Sequence, residues 1–313
     1  MNLSIVIPCY NHADSVVHAA ASVLGQLQAE DELLVVDDGS QDGSADALRQ
    51  RFGDRLRLLR QPNRGVAAAR NAGAAAARHP YVAFLDADDR WLPGARAAFA
   101  RLMDRHPEAA AWTLGHARSE HGRHAPMPTA LEGPAVLSGA GLLHHYRRHP
   151  GIINSSVVVL RRATLADLGG FPEGASNGED VCVWLAFALA HAPLAVDPAV
   201  QIHVARPLSG HLPPRARQPV PAHLQRWSPR AARRHLPAAD RRALEAFLRG
   251  NGLRHAAGNV LRGPRRDGWA VCRVLLPISP AHALIAAALC CAPRAWLRLA
   301  YRRRHMPGGR SPA

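Results

Sequence analysis

An α/β fold built on a mainly parallel sheet flanked by helices is predicted by three observations on this 313-residue chain. Short apolar runs alternate with stretches of helical apolar spacing over roughly the first hundred residues, the pattern of βαβ units. Clusters of Asp, Asn, Gly and Ser directly follow those runs, and open α/β sheets bind ligands beyond the carboxyl ends of their strands. Past residue 204 the chain turns Arg- and Pro-rich, which reads as a basic helical C-terminal extension. The sequence therefore divides into a ligand-binding domain over 1–204 and an Arg-rich helical region over 205–313.

The runs Leu3–Ile7, Glu32–Val36, Leu56–Leu59 and Tyr81–Leu85 predict strands. Between the first two, Val16, Ala20, Val23, Leu24 and Leu27 recur at helical spacing. A second helix is expected from Ser44, with Ala45, Leu48 and Phe52 on one side, and a third, Ala-rich one over Gly65–Arg78. Residues 112–150, with many His, Gly and Pro, read as loop, and Ile152–Leu160 as a further β-branched strand. Glu179 and Asp180 open a helix, where the macrodipole and unpaired N–H groups favour carboxylates. Beyond 205, helices are expected around 238–250 and 268–303. The last carries Val274, Leu275, Leu276, Leu284, Ile285 and Leu289, with Trp269 and Trp296 near its ends. Pro277, Pro280 and Pro293 break it and Arg273, His282 and Arg294 interrupt it, so it reads as an interfacial or buried helix and not as a membrane span.

All 39 basic residues are arginine, and the net charge is +15. Residues 1–204 hold 18 Arg against 21 acids, whereas residues 205–313 hold 21 Arg against 3. Such a polycation meets anionic lipid headgroups, nucleic acid or an acidic partner. No nucleic-acid-binding module accompanies the charge, which places nucleic acid last. The five cysteines are odd in number and form no C-x-x-C, so neither a disulfide framework nor a zinc site is indicated and a reducing cytoplasm is expected. The start, M-N-L-S-I-V-I-P, lacks a basic n-region and reads as a strand.

Chemistry concentrates at the predicted strand ends. In F-L-D-A-D-D, Asp86 and Asp88 fall on one side of an extended segment and Asp89 follows at once. Like charges so close suit a hard divalent cation such as Mg²⁺ or Mn²⁺, which takes one or two protein carboxylates and completes its shell with substrate phosphates. A solvated turn in which Asp89 caps the segment from Trp91 accounts for the same letters. In V-V-D-D-G-S-Q-D-G, Asp37 or Asp38 can accept from a ribose hydroxyl or a base N–H, and the stretch equally suits an Asp-Gly turn. N-R-G-V-A-A-A-R-N-A-G opens a helix, a place that attracts phosphate, with Arg70 as an added donor. A carboxylate at Glu179-Asp180 can serve as a general base toward an attacking hydroxyl.

Taken together, S-I-V-I-P-C-Y-N, V-V-D-D-G-S-Q-D-G, N-R-G-V-A-A-A-R-N-A-G, F-L-D-A-D-D and G-G-F-P-E with G-E-D resemble the family 2 inverting glycosyltransferases of the GT-A fold, in that family's order and spacing. The resemblance implies that Pro8, Tyr10 and Asn11 border the nucleotide and that Asp37 and Asp38 face the nucleoside. It places Arg70 near base or phosphate, Asp86 at ribose and metal, and Glu179 by the sugar nucleotide, with Asp180 as catalytic base. It also implies Mn²⁺ or Mg²⁺ on Asp86, Asp88 and Asp89, with His203 from a late His/Arg segment. Relatives read E-D-W-D-L-W-L-R where this chain has E-D-V-C-V-W-L-A, so Cys182 and Ala186 alter the acceptor side while Asp180 is kept. Q-R-W at 225–227 lacks the spacing of processive synthases, which favours single-sugar addition. The expected donor is a UDP-sugar and the expected acceptor a glycan or lipid-linked saccharide in cell-surface polysaccharide synthesis. The basic tail would meet the anionic inner face of the membrane. A non-catalytic nucleotide-sugar-binding protein of the same fold is the alternative.

Overall fold

The computed structural model describes residues 1–120, 123–205, 219–293 and 297. The chain divides into two compact units, Met1–Ala216 and Arg217–Ala313.

The first unit begins with β1 (Leu3–Cys9), α1 (Ala13–Leu24), β2 (Glu32–Asp37), α2 (Ser44–Phe52), β3 (Arg57–Arg60), α3 (Val66–Ala76) and β4 (Tyr81–Phe84). These strands lie in the order β3-β2-β1-β4, and each pairs in parallel with its neighbour. Every residue of β1 and β2 is buried, as near-continuous apolar runs require when both faces of a parallel sheet are covered. Val16, Ala19, Ala20 and Val23 of α1 supply one cover. All four strand carboxyl ends therefore open on one edge.

The unit continues with β5 (Arg90–Trp91), α4 (Ala95–Arg105), β6 (Ala111–Glu120), β7 (Arg123–Pro126), β8 (Ala135–Leu137), α5 (Gly139–Arg148), β9 (Val158–Arg161), α6 (Arg162–Asp167), α7 (Glu179–Leu189) and β10 (Leu194–Ala205). Here the sheet becomes mixed. β9 runs antiparallel between β4 and β6, while β10 is parallel to β6 and antiparallel to β5. The expected loop over 112–150 gives way to β6, two short strands and a ten-residue helix. β6 escapes notice because its centre, Gly115, faces a bulge in β10: a Cβ there would lie 2.1 Å from the Pro198 carbonyl oxygen. The expected strand Ile152–Leu160 is also corrected. Two 3₁₀ turns, Pro150–Ile152 and Ser155–Val157, replace its first part, because the Asn154 side chain accepts the Ser156 N–H at 2.9 Å and curls the chain.

The second unit contains α8 (Ala222–Trp227), α9 (Ala238–Arg262), α10 (Arg265–Leu275) and α11 (Pro280–Cys291). α9 runs twelve residues past the expected end at 250, through two glycines. Gly252 sits there because a Cβ would come within 2.5 Å of Leu275 Cδ2, so the missing side chain lets α10 pack close. The single helix expected over 268–303 is two helices, parted at Pro277 and Pro280. Trp296 and, apart from residue 297, the prediction beyond 293 lie outside the described residues, as do Pro207, Pro213 and Pro214 of the Pro-rich stretch after 204. Among the described residues no helix is long and apolar enough to cross a membrane.

Candidate active site

The loops after β1 and β2 are stitched together by their polar residues. Asn11, in the left-handed region at φ 54°, donates its N–H to Ser40 Oγ at 2.9 Å and accepts the Gln41 N–H at 2.9 Å. Asp37, expected to face a nucleoside, is turned inward. Its side chain is 0% exposed, accepts the Ser40 N–H at 2.8 Å and pairs with Arg60 Nε at 3.2 Å, so it shapes the loop and offers no face to a ligand. Asp38 is also buried, accepting from Gln61 Nε2 at 2.7 Å and from the N–H groups of Arg64 at 2.9 Å and Gly65 at 2.7 Å. It thereby fixes the entry to α3. Pro8 is buried at the end of β1, and Tyr10 stands exposed at the rim.

The turn after β4 carries the acids. Asp86 receives Arg70 Nη2 at 2.7 Å on Oδ1 and donates its own N–H to Ser156 Oγ at 3.0 Å. Asp89 is buried and accepts the Ala205 N–H at 2.7 Å, tying the turn to the end of β10 and not to the segment from Trp91. Burial, then the charges of Asp86 and Asp88, push its carboxyl well above the usual range, and Ser156 and Ala205 oppose the shift by hydrogen bonding. His203 is on β10 opposite Arg90, with its ring stacked on His124 at 4.1 Å. Desolvation, then His124 and Arg90, depress its pKa and keep the imidazole neutral, the form that binds metals.

These donors test the fit of a cation. Among the described residues no three His, Cys, Asp or Glu side chains are gathered as a ready metal cage. Asp86 and Asp88 are nevertheless partly exposed, and their charges are felt at buried Asp89, so three carboxylates share one corner, with Asp86 paired to Arg70. Oxygen donors of that kind fit Mg²⁺ or Mn²⁺ bound through one or two carboxylates plus phosphate oxygens.

Asp180 and Glu179 begin α7, far along the chain, and Arg70 brings them to this corner. Its side chain is 4% exposed, and its fork holds Asp86 at 2.7 Å with one nitrogen and Glu179 at 3.0 Å with the other. Burial works against the guanidinium charge, but Asp86 and Glu179 outweigh it and raise the pKa further. The same guanidinium lies 5.3 Å from the centre of the Phe171 ring. Next to it, Asn71 exchanges two hydrogen bonds with the Phe171 main chain, at 2.8 and 2.9 Å, pinning the G-G-F-P-E loop to α3. Asp180 is partly buried and accepts the Val181 N–H at 2.7 Å. Desolvation and the Glu179 charge push its pKa up to about 7, with Arg70 pulling the other way and Asp86 adding to the rise. A carboxyl poised there suits proton transfer at neutral pH.

Sequence reading singled out most of these residues but not what joins them. Ser156 stood only within an expected strand, and Arg70 was expected to meet base or phosphate where the structure commits it to two carboxylates. A lone Ser or Arg carries no signal of a partner 70 or 109 positions away.

A parallel half-sheet, completed by a mixed half that returns a carboxylate to its edge, is the GT-A arrangement. The sequence model of Glycosyl transferase family 2 matches residues 4–163, so the chain belongs to glycosyl transferase family 2. It is similar to the succinoglycan biosynthesis protein ExoU of Rhizobium meliloti, 33% identical over 194 residues covering 57% of this chain and 54% of that protein. A putative teichuronic acid biosynthesis glycosyltransferase of Bacillus subtilis, TuaG, is 39% identical over 92 residues, 28% of this chain and 36% of that protein. The match spans only 30% of the length of an uncharacterized glycosyltransferase of Rickettsia conorii, at 30% identity over 59% of this chain. In structure, the chain resembles S. aureus TarS 1-349 in complex with UDP-GlcNAc, with a TM-score of 0.69 at 19% identity over 97% of this chain and 92% of that one. The mannosyltransferase PcManGT of Pyrobaculum calidifontis in complex with GDP-Man and Mn²⁺ gives 0.50 at 20% identity, covering 96% and 78%.

Proposed function

We propose that this protein transfers one sugar from a nucleotide-sugar, with a UDP-sugar as the expected donor, to a hydroxyl of a glycan or lipid-linked acceptor in cell-surface polysaccharide synthesis. The observation that carries the reading is the buried Arg70 fork, which brings the Asp86 corner and the Glu179-Asp180 pair to one site. In this reading Asp180 takes the proton of the acceptor hydroxyl, which attacks the anomeric carbon from the face opposite the departing nucleotide. Configuration inverts in that single displacement. Asp86 and Asp88, with Asp89 and His203 behind them, are the residues that would hold Mn²⁺ or Mg²⁺, and the bound cation supplies charge neutralisation of the leaving diphosphate. Pro8, Tyr10, Asn11 and Asp38 form the nucleoside end, with Asp37 setting its loop.

ExoU and TuaG, named for succinoglycan and teichuronic acid biosynthesis, support the polysaccharide setting, and the UDP-GlcNAc and GDP-Man complexes support the donor class. A lipid-linked acceptor is met at the inner face of the cell membrane, so the same reading makes the protein cytoplasmic and peripheral there. The domain over 1–204 carries the reaction and the Arg-rich region over 205–313 the acceptor or membrane side.

The test is a panel of UDP-, dTDP- and GDP-sugars screened for Mn²⁺-dependent thermal stabilisation, followed by turnover of the donor that stabilises. A ligand present at about 100 times its Kd adds ~2.7 kcal/mol to folded-state stability. Stabilisation by no sugar nucleotide, with or without metal, rejects the proposal.

A further inference from the structure

The second unit leaves one surface unexplained by sugar transfer. Among the described residues, Trp269, Leu276, Leu284 and Ile285 are 41%, 56%, 72% and 49% exposed, all within α10, α11 and the turn that joins them. On α10, Gly268, Val271, Cys272 and Leu275 form the buried face. Arg266, Trp269, Arg273 and Leu276, spaced by three and four residues, form the outward one. α11 differs. Its inward face is Ala283, Ala286 and Cys290, and its outward face is Ala281, Leu284, Ile285, Ala288 and Cys291, with no charge on either. Apart from His282, which meets Ser279 at the helix start, α11 is apolar all round, and such a helix is ordinarily covered on both sides.

We infer that the α10–α11 hairpin is a docking surface for an anionic lipid bilayer, with α11 lying in the headgroup plane. Its twelve residues span about 18 Å, too short for a hydrocarbon core of ~30 Å but suited to lying along it. The Trp269 indole and the long stems of Arg266 and Arg273 match the aromatic and snorkelling basic residues of interfacial helices. Charge selects the occupant. Residues 217–313 carry 19 Arg against 3 acids. Asp240 is buried, Glu245 pairs with Arg233 at 3.3 Å, and Asp267 lies 3.9 Å from Arg266. A second copy of this chain would bring like charge against like, whereas anionic headgroups bring the opposite sign. The inference deepens the peripheral placement proposed above and rests on it only for which leaflet is met.

The test is co-sedimentation of the full chain with phosphatidylcholine–phosphatidylglycerol vesicles, without sugar nucleotide or acceptor, so that its failure leaves the transferase reading standing. Binding is expected to mixed vesicles, to weaken with salt, and to be absent with phosphatidylcholine alone. Leu284→Gln with Ile285→Gln lowers partitioning by about tenfold or more, because two exposed apolar side chains no longer enter the interface. Arg266→Gln with Arg273→Gln lowers it less and flattens the salt dependence. An unchanged thermal transition in each variant shows that the fold is intact. Equal binding by the wild type and the Leu284/Ile285 variant overturns the inference, as does failure to bind anionic vesicles. A concentration-dependent dimer lost in that variant without vesicle binding assigns the face to a second copy; retention of an acidic protein in place of lipid does so for that partner.

Discussion

The two units neutralise buried arginine differently. In the first, Arg70 and Arg96 meet carboxylates: Arg70 forks between Asp86 and Glu179, and Arg96 holds Asp31 at 2.7 and 3.0 Å with both side chains 3% or less exposed. In the second, Arg233 is as buried but meets mainly carbonyl oxygens of Trp227, Ser228 and Pro277, with Glu245 at 3.3 Å. Arg265, exposed on α10, also donates to carbonyls, those of Cys290 and Ala292. A carbonyl satisfies N–H groups without cancelling their charge. The first unit thereby uses arginine to gather acids into a site, while the second retains its positive charge for whatever it meets outside.

That contrast can be broken from its strongest point downward. Asp180→Asn removes the proposed base while leaving the Arg70 fork intact, and is expected to lower the transfer rate by ~10²–10⁴-fold with donor binding retained, read by turnover and thermal shift. Arg96→Ala leaves the Asp31 carboxylate buried without its charged partner, held only by two backbone N–H groups. Burial opposes that charge, and Arg96 with the N–H groups of Gln28 and Leu3 outweighs it, holding the Asp31 pKa below the usual range. Loss of the partner is expected to cost about 3–5 kcal/mol in denaturant unfolding.

Arg70→Gln sharpens the comparison at the site. Arg70 pulls the Asp180 pKa down, so its loss moves the acidic limb of the rate–pH profile above its expected midpoint near 7. An unmoved limb means that Arg70 and Asp180 are not coupled. The same carboxyl predicts a pH effect on stability. The folded pKa of Asp180, about 7, lies above its unfolded value, so the folded state keeps a proton that the unfolded state releases. Stability therefore falls as pH rises from about 4 toward 7 and stays lowered beyond. Asp180→Asn removes that fall, raising Tm at pH 8 on the order of 5 °C and leaving it nearly unchanged at pH 4. The smallest effect is expected in the second unit. Arg266 is 88% exposed, and Arg266→Gln is expected to change unfolding free energy by less than about 0.5 kcal/mol.

Much of the first half-sheet was legible because its signals are local. β1, α1, β2, α2, α3 and β4 each announce themselves by apolar period and a turn residue within a dozen positions. The acids Asp37, Asp38, Asp86, Asp88 and Asp89 were legible as strand-end clusters for the same reason. β6 was not, since its apolar residues are broken by a glycine that exists for a partner strand about eighty positions on. The division of labour within Asp37-Asp38 was equally hidden, because adjacent letters do not say that both carboxylates are buried, one on Ser40 and Arg60 and the other on Gln61, Arg64 and Gly65.

By itself the sequence determined the alternation of strands and helices, the places where acids leave the sheet, and the partition of charge between front and rear. Each follows from the chemistry of neighbouring residues. Only the tertiary structure decided that Arg70 would join Asp86 to Glu179, that Ser156 would meet the Asp86–Asp89 turn, and that α11 would keep an apolar face exposed among the described residues. Those outcomes depend on strand order and helix packing, which bring residues 16 and 109 positions away onto one guanidinium, and no local period encodes that distance.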